Sequence, residues 1–328
     1  MNSLHLFACT CDQFSAALHA APGGRAHAVD LYRRALKYGD CAVVPPEIGC
    51  RAPAIDSIVE SEDAVKVVFR LDDGARVESV VICMPRRTTL CVSSQAGCRM
   101  GCLFCTTGAH GFVRDLRAEE IVGQLFAVRH VMGRTIDSIV FMGMGEPLDN
   151  FANVVQAIRV MGDQRGLDVA PRRITVSTAG LPDGIRQMGA LGLPGLRLAV
   201  SLNAANDRLR SQLMPVNRSY PLAVLKQALR RYPLRKKEVF FIEYVLLRGV
   251  NDSPAHAAEL ARFLGDIPAR VNIIGFNTGY GSRFENPGDE GCRRFCALLA
   301  REGVFVRLRC SRGPAIQAAC GQLGSAAR

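Results

Sequence analysis

Apolar positions along this chain follow two regimes. Up to about residue 85 the pattern changes every few residues: helical spacing over 11–21 and 25–38, then a Pro- and Gly-containing connector over 45–53. Two β-type runs follow, over 66–71 and 76–82, separated by Asp72-Asp73-Gly74-Ala75, and Asp-Gly between apolar runs predicts a hairpin. From about Thr88 onward strand-like and helix-like stretches alternate. The β-type runs cover 89–94, 138–143, 173–178, 196–202, 239–247, 271–276 and 304–309. Helical spacing covers 117–133, 151–163, 181–190, 221–232, 254–265 and 288–301 between them. Short apolar runs without alternation read as strands buried on both faces, so the sheet is expected to be parallel with helices outside it. Six or so βα units are too few for a closed eight-fold barrel. The expected fold is α/β: a partial, open (β/α)6-type parallel barrel over 85–328, preceded by a small helical and β-hairpin module over 1–84.

Composition narrows the class. At 328 residues, 48% hydrophobic and 22% charged, the chain is neither disordered nor fibrous. No stretch approaches the roughly 18 consecutive apolar residues of a membrane span, and the first residues lack a basic, then apolar, leader pattern. A cytoplasmic protein is the expectation. The net charge of +11 is unevenly spread, with residues 1–84 at −3 and the remainder at +14. That asymmetry suggests a polyanionic partner such as RNA handled by the larger part, although 36 of the 41 basic residues are Arg, a bias that coding preference also produces. The basic run from Arg230 to Lys237 reads as a solvated helix end and loop.

Thirteen cysteines, an odd number without a leader, argue against a disulfide framework. Three of them form Cys98-Arg-Met-Gly-Cys102-Leu-Phe-Cys105, just after the first strand of the repeating region. Spacings of four and three in a glycine-containing loop can wrap one small inorganic centre. Structural zinc wants four ligands, commonly on paired arms, and no second arm lies nearby. An iron–sulfur cubane also takes four thiolates. Three would leave one iron open, as a catalytic centre requires; zinc stays as the minor alternative.

C-x3-C-x2-C with an aromatic before the last cysteine resembles the cluster motif of radical S-adenosylmethionine (SAM) enzymes. TLCVSSQAGC (89–98), GMGEPLDN (143–150), RRITVSTAG (172–180), AVSLNAAND (199–207), IEYVLL (242–247), VND (250–252) and AACGQL (318–323) follow one another in that order. Together they resemble the RlmN/Cfr family of RNA methyltransferases over roughly residues 65–323. The resemblance implies a [4Fe-4S] cluster on Cys98, Cys102 and Cys105. It also implies SAM held by Gly145, Glu146, Ser177, Ser201, Leu202, Asn203 and Asn277. Adenine C2 is not a nucleophile, so a methyl cannot reach it by ordinary displacement from a sulfonium. By the resemblance Cys320 carries the methyl as a thioether, Cys91 releases the product by forming a disulfide with Cys320, and Glu78 takes the ring proton. The implied reaction methylates an adenine carbon of rRNA or tRNA, at C2 in preference to C8. It needs a one-electron reductase for the cluster and a thiol reductant for the disulfide, and the chain is expected to act as a monomer. A radical SAM enzyme acting on something other than RNA, and a zinc-stabilised RNA-binding protein without catalysis, are the competing readings.

The sequence departs from the family's pattern in three places. The N-terminal module is short and divergent. Ser201-Leu202-Asn203 stands where better-known members have Ser-Leu-His, and Asn277 is followed by TGYGSRFE in place of a proline-rich loop. Cys9, Cys11, Cys41, Cys50, Cys83, Cys292, Cys296 and Cys310 match no assigned role, and Cys292 and Cys296, at i and i+4, read as helix packing.

Overall fold

A computed structural model describes residues 4–18, 24–279 and 282–324. Two helices open the chain, α1 (Cys11–Ala17) and α2 (Gly24–Tyr38). A reciprocal box starts α1, in which Thr10 Oγ1 accepts from Gln13 N and Gln13 Oε1 accepts from Thr10 N. Of the stretch 11–21 expected as helix, 19–21 lie outside the described residues. The remaining elements are β1 (Ala54–Glu60), β2 (Ala64–Arg70), β3 (Arg76–Met84), β4 (Arg87–Cys91), β5 (Gln95–Gly97), α3 (Thr106–Ala109), β6 (Phe112–Asp115), α4 (Ala118–Phe126), β7 (Ser138–Phe141), α5 (Phe151–Gly162), β8 (Ile174–Thr178), α6 (Pro182–Gly189), β9 (Arg197–Ser201), α7 (Asp207–Leu213), α8 (Val216–Ser219), α9 (Leu222–Arg231), β10 (Phe240–Leu246), α10 (Pro254–Leu264), β11 (Ala269–Gly275), α11 (Gly288–Arg301) and β12 (Val306–Arg309).

Ten strands form one open sheet in the order β1-β2-β3-β4-β7-β8-β9-β10-β11-β12. From β4 to β12 every pairing is parallel, and the six crossovers between those strands are the six expected βα units. Each carries helix outside the sheet, as chain direction requires of a parallel pair. The expected hairpin is present: β2 and β3 pair antiparallel from Ala64 opposite Ile82 to Arg70 opposite Arg76. It does not stand apart. β3 pairs with β4 antiparallel, from Val80 opposite Cys91 to Met84 opposite Arg87, so the early hairpin extends the catalytic sheet. Phe7, ahead of α1, with Phe14 and Tyr32 of α1 and α2, shares one apolar core with Leu90, Ile139 and Val200 of the parallel strands.

Several elements were not read from the sequence. β1 covers the sheet edge with mostly exposed residues and no clean alternation, and its charged residues pair with neighbours, Glu60 with Arg134 at 2.6 Å and Asp56 with Arg76 at 2.9 Å. β5 and β6 form a separate two-stranded ribbon too short for a periodic signal. The stretch 117–133 is α4 continued by a π-helical turn over Ala127–Val131. Cys41 and Cys50 are joined by a disulfide, a pair to which the sequence reading gave no role. Cys292 is buried in α11 and Cys296 packs against the same core, as expected. In the basic run, Arg230 pairs at the surface with Asp266, as does Lys226 of the same helix. No helix of the described residues is long and apolar enough to cross a membrane.

Candidate active site

All seven parallel strands end on the same side, and the segments after them enclose a cavity of about 170 Å³. Its walls bring together nine residues singled out in the sequence. Cys98, Cys102 and Cys105 supply one wall; Gly145, Glu146, Ser177, Ser201 and Asn203 come from the ends of β7, β8 and β9; Cys320 closes the far side. Leu202, Asn277, Cys91 and Glu78 stand behind these walls: all four are buried, and each is considered below.

The cysteine loop hangs between the β5–β6 ribbon and α3. Cys98 N donates to Gly111 O at 2.8 Å, Cys105 N to Cys102 O at 3.1 Å, and Leu103 N to Leu213 O at 3.0 Å. Gly97 enters the loop at φ +75°, and a Cβ there would fall 2.0 Å from Gly111 O, so only glycine fits. Burial pushes the Cys98 thiol up to about 12, and burial with the neighbouring Cys105 and Cys98 thiols drives Cys102 well above its usual value. Among the described residues no three His, Cys, Asp or Glu converge tightly enough to hold a single metal ion. The three thiols line one shared cavity, which can admit a polynuclear centre. An iron–sulfur centre fits this donor set, because metal coordination is what deprotonates thiols that burial otherwise keeps neutral.

Glu146 is fully enclosed. Its Oε2 accepts from Ala179 N at 2.6 Å and its Oε1 from Leu148 N at 3.1 Å, yet burial still pushes its carboxyl up to about 7. Such a carboxylate suits a cationic ligand group. Gly145 sits at φ +100° with Gln95 packed so closely that a Cβ would lie 2.6 Å from its side chain. Asn203, the residue in place of the family's histidine, adopts a left-handed φ of +60°, which Asn tolerates. Its Oδ1 accepts from Val245 N at 2.8 Å, tying the end of β9 to β10. Leu202 is fully buried and its N donates to Glu243 O at 3.0 Å, so what it can offer the cavity is backbone.

The segment bearing Cys320 is pinned from several elements. Thr106 N donates to Gly321 O at 2.8 Å, and Thr107 Oγ1 to Leu323 O at 2.6 Å. Asn277 Nδ2 donates to Cys320 O at 3.3 Å, and Gln322 Nε2 to Thr278 O at 3.0 Å. Glu78 Oε2 accepts from Gly324 N at 3.0 Å. Thus Asn277 and Glu78, for which the resemblance implied roles in ligand binding and proton transfer, here hold the segment that bears Cys320. The Cys320 side chain has accessible surface, but that surface faces the cavity, and its protein surroundings raise its thiol. Cys91, at the end of β4, is buried; its thiol is pushed up to about 12, first by burial and then by Cys320. Both sulfurs are free in this structure.

Four residues of the site had no assigned role in the sequence reading. Arg210, fully buried, donates to Ala179 O at 2.6 Å and to Leu202 O at 3.1 Å, gathering the carbonyls beyond β8 and β9. Asn251 donates to Asn203 O and Val245 O, both at 2.8 Å. Glu243 and Arg309 pair across the cavity wall at 3.0 Å. The VND and IEYVLL segments flagged Asn251 and Glu243 as members of a motif, but buried polar partners carry no periodic signal of their own.

Comparisons with known proteins agree with this geometry. Residues 92–261 match the Radical SAM superfamily. The chain is 49% identical over 258 residues to the dual-specificity RNA methyltransferase RlmN of Geobacter sulfurreducens, covering 79% of this chain and 71% of that one. It is 42% identical over 286 residues to the protein of the same name from Campylobacter jejuni, covering 82% and 80%. A radical SAM methyltransferase from Sphaerobacter thermophilus has a crystal structure that superimposes with a TM-score of 0.91 at 37% identity, covering 98% of this chain and 99% of that one.

Proposed function

The chain belongs to the radical SAM superfamily and, within it, to the RlmN family of RNA methyltransferases; from that membership we propose that it methylates an adenine carbon of rRNA or tRNA, C2 in preference to C8, by way of a methylated cysteine. One observation carries the reading: Cys320, the three cysteines of the loop and Glu146 face a single cavity, with Cys320 close enough to Cys91 to raise its thiol. Cys98, Cys102 and Cys105 would hold the cluster, and Glu146, Gly145, Ser177, Ser201, Asn203 and the Leu202 backbone would hold SAM. When bound, these groups supply a single electron, an electrophilic methyl and a hydrogen-abstracting carbon radical.

The chain's own residues do the rest. Cys320, as thiolate, is the nucleophile that takes the methyl, and its cavity-facing sulfur is open to ligand. Asn277 holds the Cys320 carbonyl and thereby the height of the sulfur in the cavity. Glu78 is assigned as proton acceptor for the base; its Oε2 also accepts from Gly324 N–H, which ties it to the segment that bears Cys320. Cys91 attacks to free the product as a Cys91–Cys320 disulfide, which a thiol reductant reopens. A one-electron reductase and a monomeric enzyme complete the proposal. Residues 1–84 serve it as an accessory module that contributes Glu78 and an RNA-contacting surface.

Mass mapping of rRNA and tRNA from a deletion strain tests the substrate: loss of a methyladenosine from either is expected, and an unchanged profile in both would overturn RNA as the substrate. For the route, enzyme isolated from cells should bear a methyl thioether on the tryptic peptide containing Cys320. Cys91→Ala should accumulate protein crosslinked to RNA through Cys320, seen as a nuclease-sensitive gel shift. Normal turnover of Cys91→Ala would end the disulfide mechanism.

A further inference from the structure

We propose that Arg309, clamped by Glu243, is the positioning residue that holds positive charge against the Cys91–Cys320 pair and so keeps Cys320 competent to accept a methyl. Arg309 is the last residue of β12, in register with Ile274 of β11. Its Nη1 donates to Glu243 Oε2 at 3.0 Å, and Asn272 Nδ2 donates to Glu243 Oε1 at 2.8 Å. Both oxygens of a buried carboxylate are therefore taken, which fixes the guanidinium at one place on the cavity wall. An arginine has five N–H donors. Among the described residues Arg309 uses one, so its other N–H donors are available to the cavity that Arg309, Glu243 and Cys320 line together.

The groups that face the two sulfurs explain why a cation is needed there. Burial raises the Cys320 thiol most; Glu243 and Cys105 raise it further, and Arg309 opposes them. Burial and Cys320 raise the Cys91 thiol, while the Met142 backbone N–H and Arg309 oppose. Arg309 is the cation common to both sulfurs. In the methyl-accepting step the Cys320 thiol loses its proton to solvent and the Sγ electron pair forms the new S–C bond. The methyl–sulfonium bond breaks, its pair stays on the departing thioether, and nothing is oxidised or reduced. Only the thiolate has that pair to give. The inference rests on Cys320 being the methyl acceptor, but the test below does not.

Holoenzyme reconstituted with iron and sulfide in the absence of SAM leaves Cys91 and Cys320 unmodified. Alkylation of Cys320 by iodoacetamide, a neutral probe that Arg309 does not attract, is followed by peptide mass spectrometry from pH 7 to 11.5. Arg309→Met should move the midpoint of the profile up by about one pH unit. Below the midpoint the rate falls only about threefold, because a more basic thiolate is also more nucleophilic. Arg309→Lys should stay near wild type. Glu243→Gln should move the midpoint down, because it removes the negative charge and keeps an oxygen for Arg309. Shifts in opposite directions separate an electrostatic role from a structural one, since a merely loosened cavity would move both variants the same way. An Arg309→Met profile unchanged from wild type would overturn the proposal. So would same-direction shifts, or a loss of SAM binding by Arg309→Met with alkylation unaltered, which would make Arg309 a ligand contact instead. If Arg309→Met fails to fold, the Glu243→Gln shift alone decides.

Discussion

A single buried carboxylate sets one pH dependence of this protein. Glu146 has its carboxyl pushed up to about 7 by burial, well above the ordinary glutamate value. In the ligand-free protein the folded state therefore binds more protons than the unfolded chain between roughly pH 4.5 and 7, and stability falls as pH rises through that window. A ligand ammonium requires the charged form. SAM affinity should therefore weaken as pH falls below 7, approaching tenfold per unit, and Glu146→Gln should flatten that dependence; equilibrium dialysis from pH 5.5 to 8.5 reads both. A wild-type affinity independent of pH would show that Glu146 does not meet the ligand's charge. Cys91 gives the second dependence at this scale. With its thiol near 12, its thiolate fraction rises about tenfold per pH unit through the neutral range. The crosslinked RNA species should accordingly decay faster at pH 9 than at pH 7 in a single-turnover quench, and equal decay rates would remove Cys91 as the attacking group. Residues of this kind were legible because cysteine spacing and a Gly-Glu pair after a strand are rare patterns with few uses. Arg309 was not, since nothing in its neighbours along the chain reveals the Glu243 carboxylate 66 residues away.

At the scale of elements, the seven parallel strands and their six helical crossovers were legible because each strand holds an apolar run; the inner ones are largely buried, while β12 lies at the sheet edge and is half-buried. The β5–β6 ribbon was invisible because Gln95-Ala96-Gly97 and Phe112-Val113-Arg114-Asp115 are short and lack an apolar run extending beyond the strand. Yet that ribbon frames the cysteine loop, and two glycines show how unequal similar positions are. Gly97 at φ +75° has Gly111 O where a Cβ would go, at 2.0 Å. Gly74, at φ +86° in the hairpin turn, has open space around the same position. Gly97→Ala should force the ribbon apart and displace Cys98, whose N donates to that same Gly111 oxygen, so iron per chain after reconstitution should drop to well under half of wild type. Gly74→Ala should cost only the strain of a left-handed alanine, about 1–2 kcal/mol in urea unfolding, with iron content unchanged. Full iron loading of Gly97→Ala would mean that the ribbon does not set the loop.

Across the whole molecule, the change of pattern near residue 85 marks a change from antiparallel to parallel pairing, and the sheet itself continues through it. Val80 and Val81 on β3 are buried opposite Cys91 and Leu90 on β4. Ser93 Oγ donates to Glu78 O at 2.6 Å, and Ser79 Oγ to Gln124 Oε1 at 2.7 Å, the same oxygen that accepts from Ser93 N at 2.8 Å. Removing residues 1–84 would strip one face of this network and leave its buried donors and acceptors unpaired, at roughly 1–3 kcal/mol each. It would also remove a contact at each end of the segment that bears Cys320. Asp63 Oδ1 accepts from Gly313 N at 3.0 Å, its other oxygen lies 3.6 Å from Arg312, and Glu78 holds Gly324. The first 84 residues are therefore expected not to be independent of the rest in folding. A chain of residues 85–328 should be insoluble or melt without a cooperative transition, against a single cooperative transition for the full chain, because an exposed β4 edge has no substitute partner. Adding the separate 1–84 peptide should not rescue it, since Phe7, Phe14 and Tyr32 have no core of their own to fold around. A soluble 85–328 chain that melts cooperatively and still binds SAM would show instead that the boundary in the pattern is a boundary in the fold.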